Sequence, residues 1–167
     1  MDTGRRGWAV CLVMTTPDSA ARWTFCSKGH LHWGALGGAG LLLRHVPQRG
    51  QPVYLLAERS RRKDEGGTWG IPGGAIHHGE TPEATARRKA QEEIWPVPPY
   101  HVTGTQVQDC GGGWKFHIIC ADVDHPFTAY LRQETDATGW FSLQEMSGLR
   151  LHPGFRQWVE EHTPRQA

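Results

Sequence analysis

The residues most able to do chemistry are four charged side chains in a stretch without glycine or proline: Arg88, Lys89, Glu92 and Glu93. On a helix, residues three and four positions apart share one face, so Lys89 lies beside both glutamates. Carboxylate oxygens are the ligands that Mg²⁺ and Mn²⁺ prefer, and such ions usually keep open positions for substrate phosphates. The pattern predicts a site for a hard divalent cation, although two adjacent glutamates on a helix are more often a solvated face.

A glycine turn precedes this helix and forms the other half of the candidate site. Residues 72–74 read Pro-Gly-Gly at the end of an apolar strand, and glycine lets backbone groups come close to a ligand. Thr81 is the expected N-cap and Pro82 the first helical residue, and the helix is predicted to continue to Ile94. The turn and the acidic helix are therefore expected to lie together.

These residues together resemble the Nudix hydrolase signature, G-x5-E-x7-R-E-U-x-E-E-x-G-U, in which U is an aliphatic residue. Its positions are matched in register by Gly74, Glu80, Arg88, Ala90, Glu92 and Glu93. The likeness continues more loosely over residues 36–162. It implies an α/β (α+β) fold, an α/β/α sandwich around a mixed β-sheet. It also implies a Nudix-type pyrophosphohydrolase that acts on phosphoric anhydrides.

Three positions depart from the signature. Lys89 replaces the glutamate that follows the arginine, Trp95 the closing glycine and Pro96 the last aliphatic residue. In the family, the replaced glutamate commonly binds metal or serves as the base. Lys89 reverses its charge, so the chain is expected to bind fewer metal ions, to use another base or to lack hydrolysis. The Trp95-Pro96 pair is expected only to end the helix differently, because a residue before proline is pushed out of the helical region.

The resemblance implies a role for each candidate residue. Glu92, Glu93 and the carbonyl of Gly74 would hold Mg²⁺ or Mn²⁺, which would neutralise diphosphate oxygens while water attacks in line. Arg88 and Glu80 are expected to support the site, because an arginine can brace a carboxylate with two hydrogen bonds.

A further carboxylate is expected near the C-terminal part of the chain. In related enzymes, a carboxylate from the loop before a late strand can reach the metal site. Glu134 and Asp136 precede the predicted strand 139–142, and they are the candidates to supply what Lys89 does not. For each of them, the alternative is an acidic residue in an ordinary turn.

The function implied is metal-dependent hydrolysis of a diphosphate bond in a nucleoside di- or triphosphate, or in a nucleoside diphosphate-linked metabolite. Two alternatives stay open. Lys89 is also compatible with a Nudix-fold nucleotide-binding module that has lost hydrolysis, or with a different reaction in which the lysine acts as an electrophile or acid. The expected partner is a small nucleotide or nucleoside diphosphate derivative.

The whole chain sets limits on these functions. With 167 residues, it is long enough for one domain and short for two. We expect a single domain over 1–167, with a tail at 1–7 and a strand and hairpin extension at 8–35. A net charge of +1 gives no general attraction to nucleic acid. No apolar run is long enough to cross a membrane, so a cytoplasmic protein is expected, and a homodimer is left open.

The four cysteines, at positions 11, 26, 110 and 120, are too scattered for a disulfide framework, so free thiols are expected. Cys26, His30 and His32 could form a zinc site with Cys11. Their Cys-x3-His-x-His spacing lacks the paired Cys-x2-Cys of a zinc ribbon. The spacing instead favours a β-hairpin that turns at Lys28-Gly29 and binds no structural zinc.

The remaining predicted elements place the site in the chain. Strands are predicted at 41–45, 53–58, 100–108, 114–123 and 139–142, and helical segments follow at 143–146 and 154–162.

Overall fold

The computed structural model of the protein describes residues 20–164. Its strands, in chain order, are β1 (Trp23–Phe25), β2 (Leu31–Trp33), β3 (Gly38–His45), β4 (Val53–Arg59), β5 (Trp69–Gly70), β6 (Gly73–Ala75), β7 (Ile94–Trp95), β8 (His101–Gly111), β9 (Trp114–Asp122), β10 (Tyr130–Leu131) and β11 (Thr135–Phe141). Its helices are α1 (Pro82–Glu93), α2 (Leu143–Met146) and α3 (Pro153–His162).

A mixed sheet forms the centre of the fold. Its strands follow the order β11-β4-β3-β9-β8, with β5 paired to β4 and β6 paired to β3. Strands β3 and β9 run parallel, from Gly38 opposite Phe116 to Arg44 opposite Asp122, and the other pairs are antiparallel. Side chains of β3 alternate between the two faces of the sheet, and the strand is buried along most of its length.

A hydrophobic core lies on each face of this sheet. On one face, Leu41 and Leu43 pack with Ala86 and Ala90 of α1. On the other face, Leu42 packs with the buried residues of α3, which include Phe155, Trp158 and Val159. Helices thus cover both sides, and the predicted α/β/α sandwich around a mixed sheet is confirmed.

The predicted site helix forms with its predicted start. The side chain of Thr81 accepts a hydrogen bond from the Ala84 N–H at 3.1 Å, and Pro82 is the first helical residue. The helix ends one residue earlier than predicted, because Ile94 is extended and pairs with Leu131 in a short two-stranded sheet. Strand β11 begins at Thr135 rather than 139, because it pairs with β4 from that residue onward.

The N-terminal hairpin lies beside the main sheet. Strands β1 and β2 pair with Trp23 opposite Trp33, and the turn between them contains Gly29 at a φ of 79°, as the predicted turn at Lys28-Gly29 requires. The expectation of free thiols is wrong for two cysteines, because Cys26 and Cys110 lie adjacent and form a disulfide pair. Cys120 has a free thiol.

Some predictions fall on residues outside 20–164. They concern the tail at 1–7, the first part of the 8–35 extension and Cys11, and they stay predictions, as does the single domain over the whole chain. Among the helices of the described part, none is long and apolar enough to span a membrane.

Candidate active site

The glycine turn and helix α1 meet through the side chain of Lys89. The predicted glycine turn is a bend at Pro72 followed directly by strand β6, which contains Gly73 and Gly74. Strand β6 pairs with β3, with Gly74 opposite Ala39, and this pairing places the two glycines beneath α1. A Cβ atom on Gly74 would lie 2.9 Å from Cε of Lys89 and 3.0 Å from its Cδ. A side chain at position 74 would therefore force Lys89 to move, because the lysine side chain crosses directly over Gly74.

The ammonium group of Lys89 lies among three carboxylates. Its Nζ is 3.0 Å from Glu92 Oε2, 3.4 Å from Glu93 Oε1 and 3.2 Å from Glu134 Oε2. The Lys89 side chain is 12% exposed and that of Glu93 is 11% exposed, whereas Glu92 reaches 47%. We call these four residues the lysine–glutamate cluster. It has a buried side at Glu93 and an open side at Glu92.

Burial and charge act in opposite directions within this cluster. Burial lowers the pKa of Lys89, but the surrounding carboxylates, first Glu93, outweigh it and raise the pKa above its ordinary value. Burial raises the pKa of Glu93 to about 7, although Lys89 opposes the rise. The pKa values of Glu92 and Glu134 are lowered, because their lysine and arginine partners outweigh the effect of burial. The cluster therefore stabilises one cation and includes a carboxyl group that can exchange a proton near neutral pH.

Arg88 ties the helix to the loop before it. Its Nε and Nη2 donate to the two oxygens of Glu80 at 2.7 and 2.8 Å, its Nη1 donates to Glu92 at 3.1 Å, and Nη2 also reaches the Ala75 carbonyl at 3.2 Å. The Arg88 hydrogen bonds lower the pKa of Glu80 to about 2. This arrangement is the bidentate support expected of the pair.

The backbone of the glycine turn also supports the cluster. The Gly73 N–H donates to Glu93 Oε1 at 3.4 Å. Glu80 further accepts hydrogen bonds from the Thr85 hydroxyl at 2.7 Å and from the His77 N–H at 3.1 Å. Strand β6 thus holds the Glu93 carboxylate of α1, while Thr85 and His77 hold Glu80, the loop carboxylate that braces Arg88.

The two late acidic candidates have different surroundings. Glu134 joins Lys89 through Oε2, while its Oε1 accepts from Lys63 Nζ at 3.0 Å. Asp136 accepts a hydrogen bond from the Arg61 N–H at 3.0 Å, at the end of β4. Of the two candidates, the structure brings Glu134 into the lysine–glutamate cluster and holds Asp136 at the neighbouring loop.

Lys63 contacts Glu134 from a segment whose sequence favours a solvated loop over a contact with phosphate. It belongs to the basic run at 59–63, which reads as an ordinary solvated loop in the sequence. The pairing of β11 with β4 brings this loop beside Glu134, because Thr135 lies opposite Arg59. The available signal was the positive charge of the run, which is compatible with contacts to phosphate.

The donor atoms of the lysine–glutamate cluster match a hard divalent cation in kind, because they are carboxylate oxygens beside a glycine turn. Lys89 Nζ occupies the point towards which these carboxylates are directed. A metal ion at Glu92 and Glu93 therefore has to share the negative charge with Lys89 or displace its ammonium group.

Comparison with known proteins agrees with this geometry. The NUDIX domain matches residues 37–164. The chain belongs to the Nudix family. The resemblance drawn from the signature is thus confirmed, and the turn, α1 and the lysine–glutamate cluster all lie in the matched region. Nudix hydrolases generally use divalent metal ions.

One curated relative is "Putative 8-oxo-dGTP diphosphatase 3" of Mycobacterium tuberculosis (strain ATCC 25618 / H37Rv). It is 37% identical over 139 residues, which cover 80% of this chain and 64% of the relative. The chain therefore spans slightly less than two thirds of the length of that relative.

Solved structures give the same family and fold. The crystal structure of RenU, a Nudix hydrolase from M. smegmatis, is 31% identical with a TM-score of 0.72, and the match covers 87% of this chain and 99% of RenU. The NUDIX domain of Shewanella oneidensis NrtR, complexed with ADP ribose, is 23% identical with a TM-score of 0.54, over 75% of this chain and 84% of that chain. The second likeness concerns the fold alone.

Proposed function

We propose that this protein hydrolyses a diphosphate bond in a nucleoside di- or triphosphate, or in a nucleoside diphosphate-linked metabolite, with Mg²⁺ or Mn²⁺ as its metal ion. The observation that supports the proposal is that the carboxylates of Glu92, Glu93 and Glu134 all contact the ammonium group of Lys89 beside the glycine turn. The name of the M. tuberculosis relative makes 8-oxo-dGTP the first substrate to test.

In this proposal, Glu92, Glu93 and the Gly74 carbonyl hold the metal ion. When bound, the ion neutralises diphosphate oxygens and orients water for in-line attack, without a covalent intermediate. Arg88 keeps Glu92 on the open side of the cluster, and the Gly73 N–H keeps Glu93 on the buried side. The products are a nucleoside monophosphate and a phosphate-containing leaving group.

Lys89 gives this site a different charge balance from that of the family signature. Its ammonium group neutralises part of the negative charge of the three carboxylates that contact it, so the site holds fewer metal ions than a site with glutamate at this position. The same positive charge can contact a substrate phosphate as a point charge. The proposed enzyme is therefore a Nudix hydrolase with weakened metal binding.

A second function is favoured by the same contacts. In a binding module, Lys89 would act as the permanent cation of the site, and its ion pairs with Glu92, Glu93 and Glu134 would replace the metal ion. Such a protein would bind a nucleotide and leave it intact.

The experiment that tests the proposal is a panel of possible substrates. Purified full-length protein is incubated with 8-oxo-dGTP, dGTP, ATP and ADP-ribose, with Mg²⁺ or Mn²⁺ in parallel, and the products are identified by mass spectrometry. A matched reaction with chelator is the control. We expect a nucleoside monophosphate from at least one substrate, and none with chelator. Nucleotide binding measured by calorimetry, without product under either metal ion, would instead support the binding module.

A further inference from the structure

A second group of possible metal ligands lies outside the lysine–glutamate cluster. It joins the turn of the β1–β2 hairpin to the end of β8, and its members are Cys26, His30, His32 and Cys110. One ligand atom from each of these residues lies within 4.8 Å of all the others. We call this group the cysteine–histidine cluster. Because Cys110 is distant in sequence from the other three, only the fold brings the fourth ligand to them.

The two histidines converge on the sulfur of Cys110. Its Sγ lies 3.2 Å from His32 Nε2 and 3.4 Å from His30 Nδ1. A tetrahedral zinc site has Zn–S bonds of about 2.3 Å and Zn–N bonds of about 2.0–2.1 Å, so its sulfur and nitrogen ligands lie roughly 3.6 Å apart. The two observed sulfur–nitrogen distances are close to that separation.

The composition of the cluster matches a structural zinc site. Two cysteines and two histidines form one of the common ligand sets of such sites, and four protein ligands leave no position open for substrate. Sulfur and imidazole nitrogen favour Zn²⁺ over Mg²⁺, which prefers oxygen. The adjacent sulfurs of Cys26 and Cys110 can form a disulfide or bind one ion together, but a disulfide alone does not require two imidazole nitrogens beside it.

The surroundings of the cluster hold the ligands in place. The His32 ring stacks on Trp114, with centroids 3.7 Å apart and planes at 15°, and the Trp114 indole N–H donates to the Gly34 carbonyl at 2.8 Å. Cys26 is buried, and its N–H donates to the His30 carbonyl at 3.0 Å. Trp114 thus fixes His32 from outside the cluster, as supporting groups do in metal sites, while the backbone hydrogen bond joins two members of the cluster, Cys26 and His30.

The tip of the β8–β9 hairpin fits closely against the N-terminal turn. A Cβ atom at Gly111 would collide with the Ser27 hydroxyl, and one at Gly112 would lie 3.0 Å from the Ser27 nitrogen. Both glycines have positive φ values, of 82° and 64°. Glycine in these two positions lets the backbone of the tip approach the turn that carries Cys26.

We propose that the reduced protein binds one structural Zn²⁺ through Cys26, His30, His32 and Cys110. The ion joins the N-terminal hairpin to the tip of the β8–β9 hairpin. This proposal replaces the expectation from the sequence that the Cys26-x3-His30-x-His32 segment binds no zinc. It does not depend on the proposed hydrolysis, because the two clusters share no residue.

The zinc ion would also stabilise the segment behind the glycine turn. The residues after β2 lead directly into β3, and a Cβ atom at Gly34 would lie 2.8 Å from the Ala75 Cβ, at the end of β6. The Ile76 N–H donates to the Gly37 carbonyl at 3.1 Å. Because structural zinc is coupled to folding, removal of zinc is expected to lower the stability of this segment.

The test is the zinc content of full-length protein, purified with reductant and without added metal. We expect about one zinc per chain by elemental analysis. Cys110→Ser is expected to lose the zinc, whereas Cys120→Ser, which changes the free cysteine of β9, is expected to retain it. A strong chelator should lower the melting temperature of the parent protein but leave that of Cys110→Ser unchanged.

A second variant and a second metal ion keep the test valid if Cys110→Ser fails to fold. His30 is exposed, so His30→Ala should fold, and we expect it to bind zinc on the order of 100-fold more weakly in a competition with a coloured chelator. Co²⁺ added to reduced, metal-free protein should give the absorption bands of cobalt bound to thiolate. A protein without zinc that retains a Cys26–Cys110 disulfide after purification with reductant, and that gives no such bands, would overturn the proposal.

Discussion

The lysine–glutamate and cysteine–histidine clusters differ in whether the chain itself supplies a cation to the group. In the first, three carboxylates contact an ammonium group that the chain itself supplies. In the second, two cysteine sulfurs and two imidazoles lie together, and the ligand set contains no lysine or arginine. The first cluster is balanced in part by its own cation, whereas the second can bind an external cation or form a bond between its sulfurs.

The two clusters also differ in what lies at the centre of their ligand atoms. In the cysteine–histidine cluster, one ligand atom from each of four residues lies within 4.8 Å of all the others. The carboxylates around Lys89 are each 3.0–3.4 Å from its Nζ instead. An ammonium group with its hydrogen-bonded partners occupies more space than a bare ion at bonding distance. We therefore expect weak and adjustable metal binding at the first cluster and tight binding at the second.

The largest expected effect concerns the buried carboxylate of the first cluster. Glu93→Gln keeps the shape of the side chain but removes the anionic ligand, so we expect turnover with Mg²⁺ to fall roughly 100-fold. The circular dichroism spectrum should not change. The measurement is the initial rate with the best substrate of the panel. An unchanged rate together with unchanged Mg²⁺ affinity would remove α1 from the active site.

A smaller effect in the opposite direction is expected at Lys89. Lys89→Glu replaces the internal cation by a carboxylate, so Mg²⁺ should bind on the order of tenfold more tightly. The rate of hydrolysis should rise with it. Titration calorimetry and initial rates check the two quantities, and Lys89→Ala is the matched control for loss of charge alone. If both variants abolish the reaction, the lysine contacts the substrate or donates a proton, and the comparison between the two clusters no longer applies.

The smallest expected effects separate the two late acidic residues. Glu134→Gln removes a carboxylate that contacts both Lys89 and Lys63, and we expect the rate to fall about fivefold, somewhat less than the loss that groups orienting metal ligands typically cause. Asp136→Asn is the matched control, because Asp136 contacts the Arg61 N–H instead. Its rate should stay within about twofold of the parent rate. Equal losses of rate in the two variants would contradict the different roles that their contacts give to Glu134 and Asp136.

The sequence by itself determined the parts of the protein that depend on local spacing. The N-cap at Thr81, the first helical residue Pro82 and the shared face of Lys89 and Glu93 follow from helical geometry, and the structure contains all three. The Nudix signature and the sandwich fold were also readable, because the glycine turn and the acidic helix are contiguous in the chain. Gly74 and Lys89 illustrate the reason, because these two residues contact each other and only fifteen positions separate them in the sequence.

The tertiary structure alone decided the partners that come from distant segments. Glu134 and Asp136 are equivalent in the sequence, and the register of β11 against β4 directs Asp136 to Arg61 while Glu134 reaches Lys89. Cys110 likewise joins Cys26 only because the β8–β9 hairpin ends at the N-terminal turn. Local spacing did not predict these contacts, because they depend on which strands, distant in the sequence, pair in the sheet and in which register.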